Sequence, residues 1–293
     1  MTPVFVWIVL CIVWGSTWIF IKLGLDFLPP VSFAALRFSA ACLILWPVLR
    51  LQRIEIPFKR ELFGFIALTG TLQFFLNYGL LFWGEQFISS GLAAVLQATI
   101  PAFGLVLARI YVGERITGLK VIAILLGIIG VGVVFREQLE LNGRLAFLGS
   151  LAVVVGAFCA AYASVLTKAR GVNLHPAGLV FLQMLVGHLP LWGVGLIREG
   201  NPVSFRWSAL AVVCVLYLAV VGSIIAFWLY YWLLSKIDVT RAMMIALVTP
   251  LIAVVVGSFF GERLAVETIA GGAMILFSVL LIVIMPMLRT ARK

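Results

Sequence analysis

The feature that most constrains this chain is a succession of apolar stretches, each about as long as a membrane is thick, divided by short charged or Pro/Gly-containing breaks. Read from break to break they cover residues 3–24, 32–50, 61–83, 89–112, 117–135, 145–168, 176–197, 207–234, 239–261 and 266–288. A membrane-crossing helix takes ~20 residues, so ten of them use most of the 293 available and leave only loops. Charge argues the same way. The 21 Lys and Arg and 11 Asp and Glu make up 11% of the chain, and the mean hydropathy is +1.20. Soluble domains carry roughly 25% charged residues, and a surface this apolar would aggregate in water. A β-barrel would need ~10-residue strands of alternating polarity, whereas residues 122–134 are apolar throughout. The expectation is an all-α integral membrane protein with ten transmembrane helices and no extramembrane domain.

The formal net charge of +10 does not point to nucleic acid, because the basic residues are scattered among short loops instead of forming a face or stripe. They fit topology control. With the N-terminus placed in the cytoplasm, only seven of the 21 fall on the far side: Lys22, Arg37, Arg136, Arg144, Arg198, Arg206 and Arg263. The other fourteen lie on the cytoplasmic side, so the positive-inside rule favours both termini inside. Cys11, Cys42, Cys159 and Cys214 all lie in apolar stretches without metal or disulfide spacing and read as small apolar fillers. The first stretch lacks a basic leader and a small-x-small site ahead of Lys22, so it is expected to stay as a helix.

The second half echoes the first. Residues 93–115 read AAVLQATIPAFGLVLARIYVGER and residues 242–263 read AMMIALVTPLIAVVVGSFFGER. Pro101 meets Pro250 at an offset of 149, as do Trp83 and Trp232, and Tyr78 and Phe227; Gly113-Glu114-Arg115 meets Gly261-Glu262-Arg263 at 148. Earlier, an offset of 146 pairs Lys22 with Lys168, Pro30 with Pro176 and Arg37 with Gln183. The expected organisation is therefore two five-helix repeats, residues 1–138 and 139–293. Five is odd, so the second enters the membrane inverted, an arrangement that in secondary transporters puts the substrate site at the repeat interface near the midplane.

Trp14-Gly15-Ser16-Thr17 with Lys22, Pro30 with Arg37, and the two Pro…Gly-Glu-Arg segments together resemble the ten-helix EamA-type carriers of the drug/metabolite transporter superfamily. The resemblance spans residues 4–288. It implies a bacterial inner-membrane exporter of amino acids or similar metabolites, with aromatic and neutral amino acids as the nearest analogy. It also implies a central cavity lined mainly by helices 1, 3, 4, 6, 8 and 9, with helices 5 and 10 at the periphery. Drug or sugar export on the same fold is the alternative.

Enzymatic chemistry finds little support. There is no His-Glu-x-x-His pattern, nucleophile elbow, P-loop or mid-membrane carboxylate pair. An intramembrane enzyme acting on a lipid would have to be built around His188, which is alone in its helix. No metal, cofactor or nucleic-acid partner is expected, only the bilayer and a small-molecule substrate; monomer and homodimer both stay open. All acidic residues sit near helix ends or in loops. A proton-driven pump for lipophilic cations uses a buried carboxylate, so neutral or zwitterionic cargo and gradient-driven export fit better.

The candidate site residues are those with polar or aromatic side chains inside helices. Trp14 and Thr17 flank Gly15, where a small residue admits either a neighbouring helix or a ligand. Gln73 and Asn77 share a face, with Tyr78 on the adjoining one; two buried amides must face protein or a wet cavity. Gln97 precedes Pro101 by four residues, and that proline leaves the carbonyl at 97 without its helical donor. Tyr162, Phe227, Tyr230 and Tyr231 are the aromatic candidates of the second half. Pro101 and Pro250 are expected hinges. Arg37 is expected to snorkel, pair with Asp26 or line an outer vestibule. Glu114 and Glu262 are expected as gate or structural charges.

Overall fold

The computed structural model describes residues 1–88, 90–134, 143–258 and 266–284, and every regular element among them is helical. Among the described residues seven helices are long and apolar enough to cross a membrane: α1 (Pro3–Leu25), α2 (Pro30–Leu51), α3 (Arg60–Gly84), α4 (Leu92–Tyr111), α6 (Gly143–Gly171), α7 (Pro176–Arg198) and α8 (Ala209–Lys236). Three apolar elements are shorter: α5 (Gly118–Val134), α9 (Val239–Met243 resuming as Ile245–Ser258) and α10 (Val266–Val279). Local chemistry sets the starts. Pro3, Pro30 and Pro176 occupy first helical positions, where a missing N–H costs nothing. Thr2 caps α1 by accepting from Phe5 N–H, and Ser208 caps α8 by accepting from Ala211 N–H.

The outside of the bundle is apolar. Ile12, Leu43, Phe63, Ile110, Ile122, Leu189 and Ile197 are all exposed, which in water would be a liability and in lipid is the normal boundary. Inside, α2 packs on α7 and α5 on α10, while α1 packs on α8 and α9, and α6 on α3 and α4. The α1–α9 contact needs Gly15: a Cβ there would lie 2.5 Å from Ile252 Cγ2, so this member of the Trp14–Thr17 group is a packing notch. The four cysteines are buried and free.

Among the described residues four wide π-turns occur: residues 71–77 in α3, 167–171 at the end of α6, 220–225 in α8 and 280–284 after α10. Such i→i+5 turns add a residue to the helix, disturb its hydrogen bonding and recur at functional sites. Two other helices are interrupted. In α4 the regular helix stops at Gln97 and resumes at Ile100, and in α9 it breaks at Met244. Pro101 therefore does not kink a continuous helix; it sits at the second position of a fresh one, where proline is tolerated. Pro250 is inside its helix. Glu262 and the second Gly-Glu-Arg segment lie outside the described residues.

Candidate functional site

A cavity of ≈ 140 Å³ lies among seven helices. By a comparable measure a single water needs ~10–15 Å³, so there is room for one small metabolite. The contributing side chains follow helical spacing. Helix α1 gives Trp14, Thr17, Trp18 and Ile21; α3 gives Gln73, Asn77, Tyr78 and Leu81; α4 gives Gln97 and Ile100. From the second half come Ala160 and Ser164 of α6, Phe227 and Tyr230 of α8, and Ala242, Met243, Ile245, Ala246, Thr249 and Pro250 of α9. Among the described residues neither α5 nor α10 contributes. The unexpected member is α2, which brings Arg37. A larger groove of ≈ 550 Å³ between α1, α9 and α10, lined by Trp7, Ile12 and Phe277 among others, is almost wholly apolar and suits hydrocarbon better than a polar solute.

One wall is aromatic. Trp14 meets Phe227 and Tyr230 edge-on at centroid distances of 5.4 and 5.2 Å, and Phe227 meets Phe74 at 4.8 Å. The Trp14 indole is held by donating Nε1–H to the Gly222 carbonyl at 3.3 Å, inside the α8 π-turn. That carbonyl also accepts from Arg37 Nη2 at 2.9 Å, while Arg37 Nε donates to Ser223 Oγ at 2.8 Å. Gly222 must be glycine for this approach, since a Cβ would stand 2.8 Å from Thr17 Cγ2 and 3.2 Å from Arg37 Nη2. Arg37 is 1% exposed and also lies over the rings of Tyr78 and Phe38, at 4.9 and 5.2 Å. It neither snorkels nor bonds to Asp26; the α8 π-turn holds it.

The polar lining is partly spent on the protein itself. Thr17 donates to the Trp14 carbonyl of its own helix at 2.6 Å, and Gln97 Nε2 is 3.5 Å from the Val153 carbonyl. Asn77 Oδ1 is buried with no hydrogen-bond partner. Residues 97 and 246, the positions whose carbonyls lose a donor to Pro101 and Pro250, both line the cavity.

Two expected contacts lie elsewhere. Tyr231 points into a buried chain in which its hydroxyl donates to Gln183 Oε1 (2.5 Å) and Gln183 Nε2 donates to Thr69 Oγ1 (2.5 Å), joining α8, α7 and α3. The Tyr162 hydroxyl stands 2.9 Å from that of Tyr111. Trp18, Ser164 and Thr249 line the cavity although nothing in their sequence setting marked them: α1, α6 and α9 are apolar on nearly every face, so periodicity cannot separate the lining face from the others. His188 is hydrogen-bonded through Nδ1 to the Met184 carbonyl of its own helix, as a packing histidine is.

A charged cluster lies within a turn of Ala242 and Met243, at the face where α1 begins. Glu114 accepts from Val239 N–H at 2.6 Å and from the Thr240 hydroxyl at 2.7 Å, and pairs with Lys120 at 3.2 Å. Lys120 also reaches Asp238 (3.5 Å), which pairs with Arg241 (3.3 Å). Lys168 donates to the Leu234 and Ile237 carbonyls that end α8. Trp7 closes the set by donating to the Arg241 carbonyl at 3.1 Å. At the opposite face Glu199 accepts from Val31 N–H (2.9 Å) and Ser32 N–H (2.7 Å), capping α2 from the end of α7.

Residues 1–136 and 147–284 each match the EamA-like transporter family. The chain is 32% identical over 278 residues to the uncharacterized inner membrane transporter YedA of Escherichia coli K12, covering 93% of this chain and 88% of the relative. It is 26% identical over 269 residues to the uncharacterized transporter YoaV of Bacillus subtilis, covering 90% of each. It is also 26% identical over 276 residues to a protein of E. coli K12 named a probable amino-acid metabolite efflux pump, covering 90% and 89%. A solved crystal structure superposes with a TM-score of 0.81 over 99% of both chains at 14% identity, a likeness of fold alone.

Proposed function

This chain belongs to the EamA-like transporter family, within the drug/metabolite transporter superfamily, and from that premise we propose that it exports small metabolites, foremost aromatic or neutral amino acids, across an inner membrane by alternating access. The observation that carries the reading is the cavity itself: a metabolite-sized space with an aromatic wall, a few polar groups, and a charged cluster stopping one end. The efflux-pump relative supports the amino-acid assignment.

The proposed architecture is ten spans in two inverted five-helix repeats, with the three shorter apolar helices crossing as well. Its support is a pairing of irregularities. The offset of 149 that relates Pro101 to Pro250 also carries Thr71, where the α3 π-turn begins, onto Val220, where the α8 π-turn begins. Exchanging α1–α5 for α6–α10 turns the α1–α9 contact into α6–α4, the α3–α6 contact into α8–α1, and leaves α2–α7 and α5–α10 unchanged; all of these contacts are present. The family matches each half separately.

In this mechanism both termini are cytoplasmic and the Glu114 cluster is the cytoplasmic gate, shut in this conformation. The breaks preceding Pro101 and Pro250 let half-helices rock between access states. No carboxylate lines the cavity among the described residues, which favours facilitated export without obligatory proton coupling. Counterflow in proteoliposomes with labelled amino acids, sugars and quaternary amines tests the reading. Amino-acid exchange that persists after the pH gradient is collapsed is the expected result; exchange of sugars or amines in its place would overturn the substrate class.

A further inference from the structure

Taking the cavity as the cargo site, as proposed above, Arg37 is its unexplained member. A guanidinium has five N–H donors and stays charged. Ser223 Oγ and the Gly222 carbonyl take one each, and the Tyr78 side chain is the remaining polar neighbour. At least two donors are left, and among the described residues no carboxylate stands within ion-pair distance. A charge buried without a counter-charge costs several kcal/mol, so a helix-packing role alone is a poor reason to keep one here.

The other half shows that packing does not require the charge. The offset of 146 pairs Arg37 with Gln183, which joins three helices through a neutral amide, donating to Thr69 and accepting from Tyr231. Both residues tie their helix to another near a π-turn; only Arg37 lines the cavity, and only it is a cation. Asn77 also lines the cavity, but its Oδ1 is buried toward Gly156 of α6. Surplus donors on a cation beside an aromatic-walled cavity complement a molecule carrying a carboxylate and an apolar or aromatic body.

We infer that Arg37 is the docking point for a carboxylate on the transported molecule, so that the cargo is a carboxylic acid, zwitterionic in the case of amino acids, and its uncharged-carboxyl derivatives are rejected. Carboxylate held by guanidinium forms charge-assisted, often bidentate hydrogen bonds that an amide or ammonium cannot reproduce.

The test measures binding of matched pairs to the purified full-length protein: phenylalanine, leucine, alanine and serine, each against its carboxamide. Wild type is expected to prefer the acid by about tenfold or more, the size of one lost charge-assisted contact. In Arg37→Gln that preference collapses toward one, and Arg37→Lys keeps part of it; a merely structural arginine would weaken both members of a pair alike. Acids and amides bound equally by wild type, or an unchanged ratio in a folded Arg37→Gln protein, would overturn the assignment. The wild-type ratio decides even where the variant fails to fold. Amino-acid counterflow with no acid preference sinks the carboxylate site and leaves the amino-acid reading standing. Sugars or quaternary amines carried, with no member of any pair bound, sinks both.

Discussion

Replacing Glu114 by Gln isolates the charge of the gate from its shape. The carboxylate takes two short bonds from α9, 2.6 Å from Val239 N–H and 2.7 Å from Thr240, and an ion pair from Lys120, with both charged side chains about 10% exposed. Hydrogen bonds to a charged group are worth about 1.5–3 kcal/mol and neutral ones about 0.5–1.5, so neutralisation removes about 1 kcal/mol from each of the two. Lys120 loses one partner and keeps Asp238 at 3.5 Å, which limits the further loss. The closed gate should therefore weaken by about 2–3 kcal/mol relative to an open one, a shift of roughly 30- to 150-fold in the open-to-closed ratio. A cysteine at Ala246, in the cavity wall and partly exposed, reports it. The native cysteines are buried and give a low background. A membrane-impermeant maleimide is applied from the face where α1 begins, and labelling in the Glu114→Gln background is expected to accelerate by more than about tenfold, part of the shift worked above. Glu199→Gln, which weakens only the α2 cap at the opposite face, should leave that rate unchanged. A rate within about twofold of the parent, in a protein with the parental thermal unfolding midpoint, would refute the gate assignment, since the predicted population shift is far larger.

Glu85, in the turn after α3, is held up to about 7 by burial, and its Oε1 has no partner. Because the folded-state value lies above the unfolded one, its protonated form stabilises the fold at low pH, and that stability is lost as pH rises toward 7. Glu85→Gln should thus raise the unfolding midpoint at pH 8 and leave it unchanged at pH 4; equal midpoints at both would count against the burial argument. Gln183→Leu takes the acceptor from the buried Tyr231 hydroxyl, while Thr69 keeps its bond to the Phe65 carbonyl, and should cost about 1–3 kcal/mol, read as a lower midpoint in detergent. Replacing both Pro101 and Pro250 by Ala should slow counterflow several-fold at equal protein level; undiminished flux removes the hinge role.

How far the sequence reaches is clearest along α8. That this segment is a buried helix follows from its composition, and Phe227 was reachable from its aromatic character and its pairing with Tyr78. Which of the adjacent Tyr230 and Tyr231 faces the cavity was not. The π-turn at residues 220–225 puts an extra residue into the helix and rotates everything after it, so a 3.6-residue wheel drawn from Ala209 gives the wrong phase beyond the turn. Tyr230 lines the space and Tyr231 is spent on Gln183. Gln73 and Asn77 were legible despite the matching turn in α3, because a buried amide has a reason to face something polar wherever the phase falls. Arg37 shows the remaining limit. Its position near the start of α2 and its charge suggested snorkelling, a pair with Asp26 or an outer vestibule, and only tertiary structure brings to it the Gly222 carbonyl, 185 residues away. The same turn that obscures the register of α8 therefore positions Arg37 and Trp14 together, so the feature least readable from the sequence is the one on which the proposed carboxylate site depends.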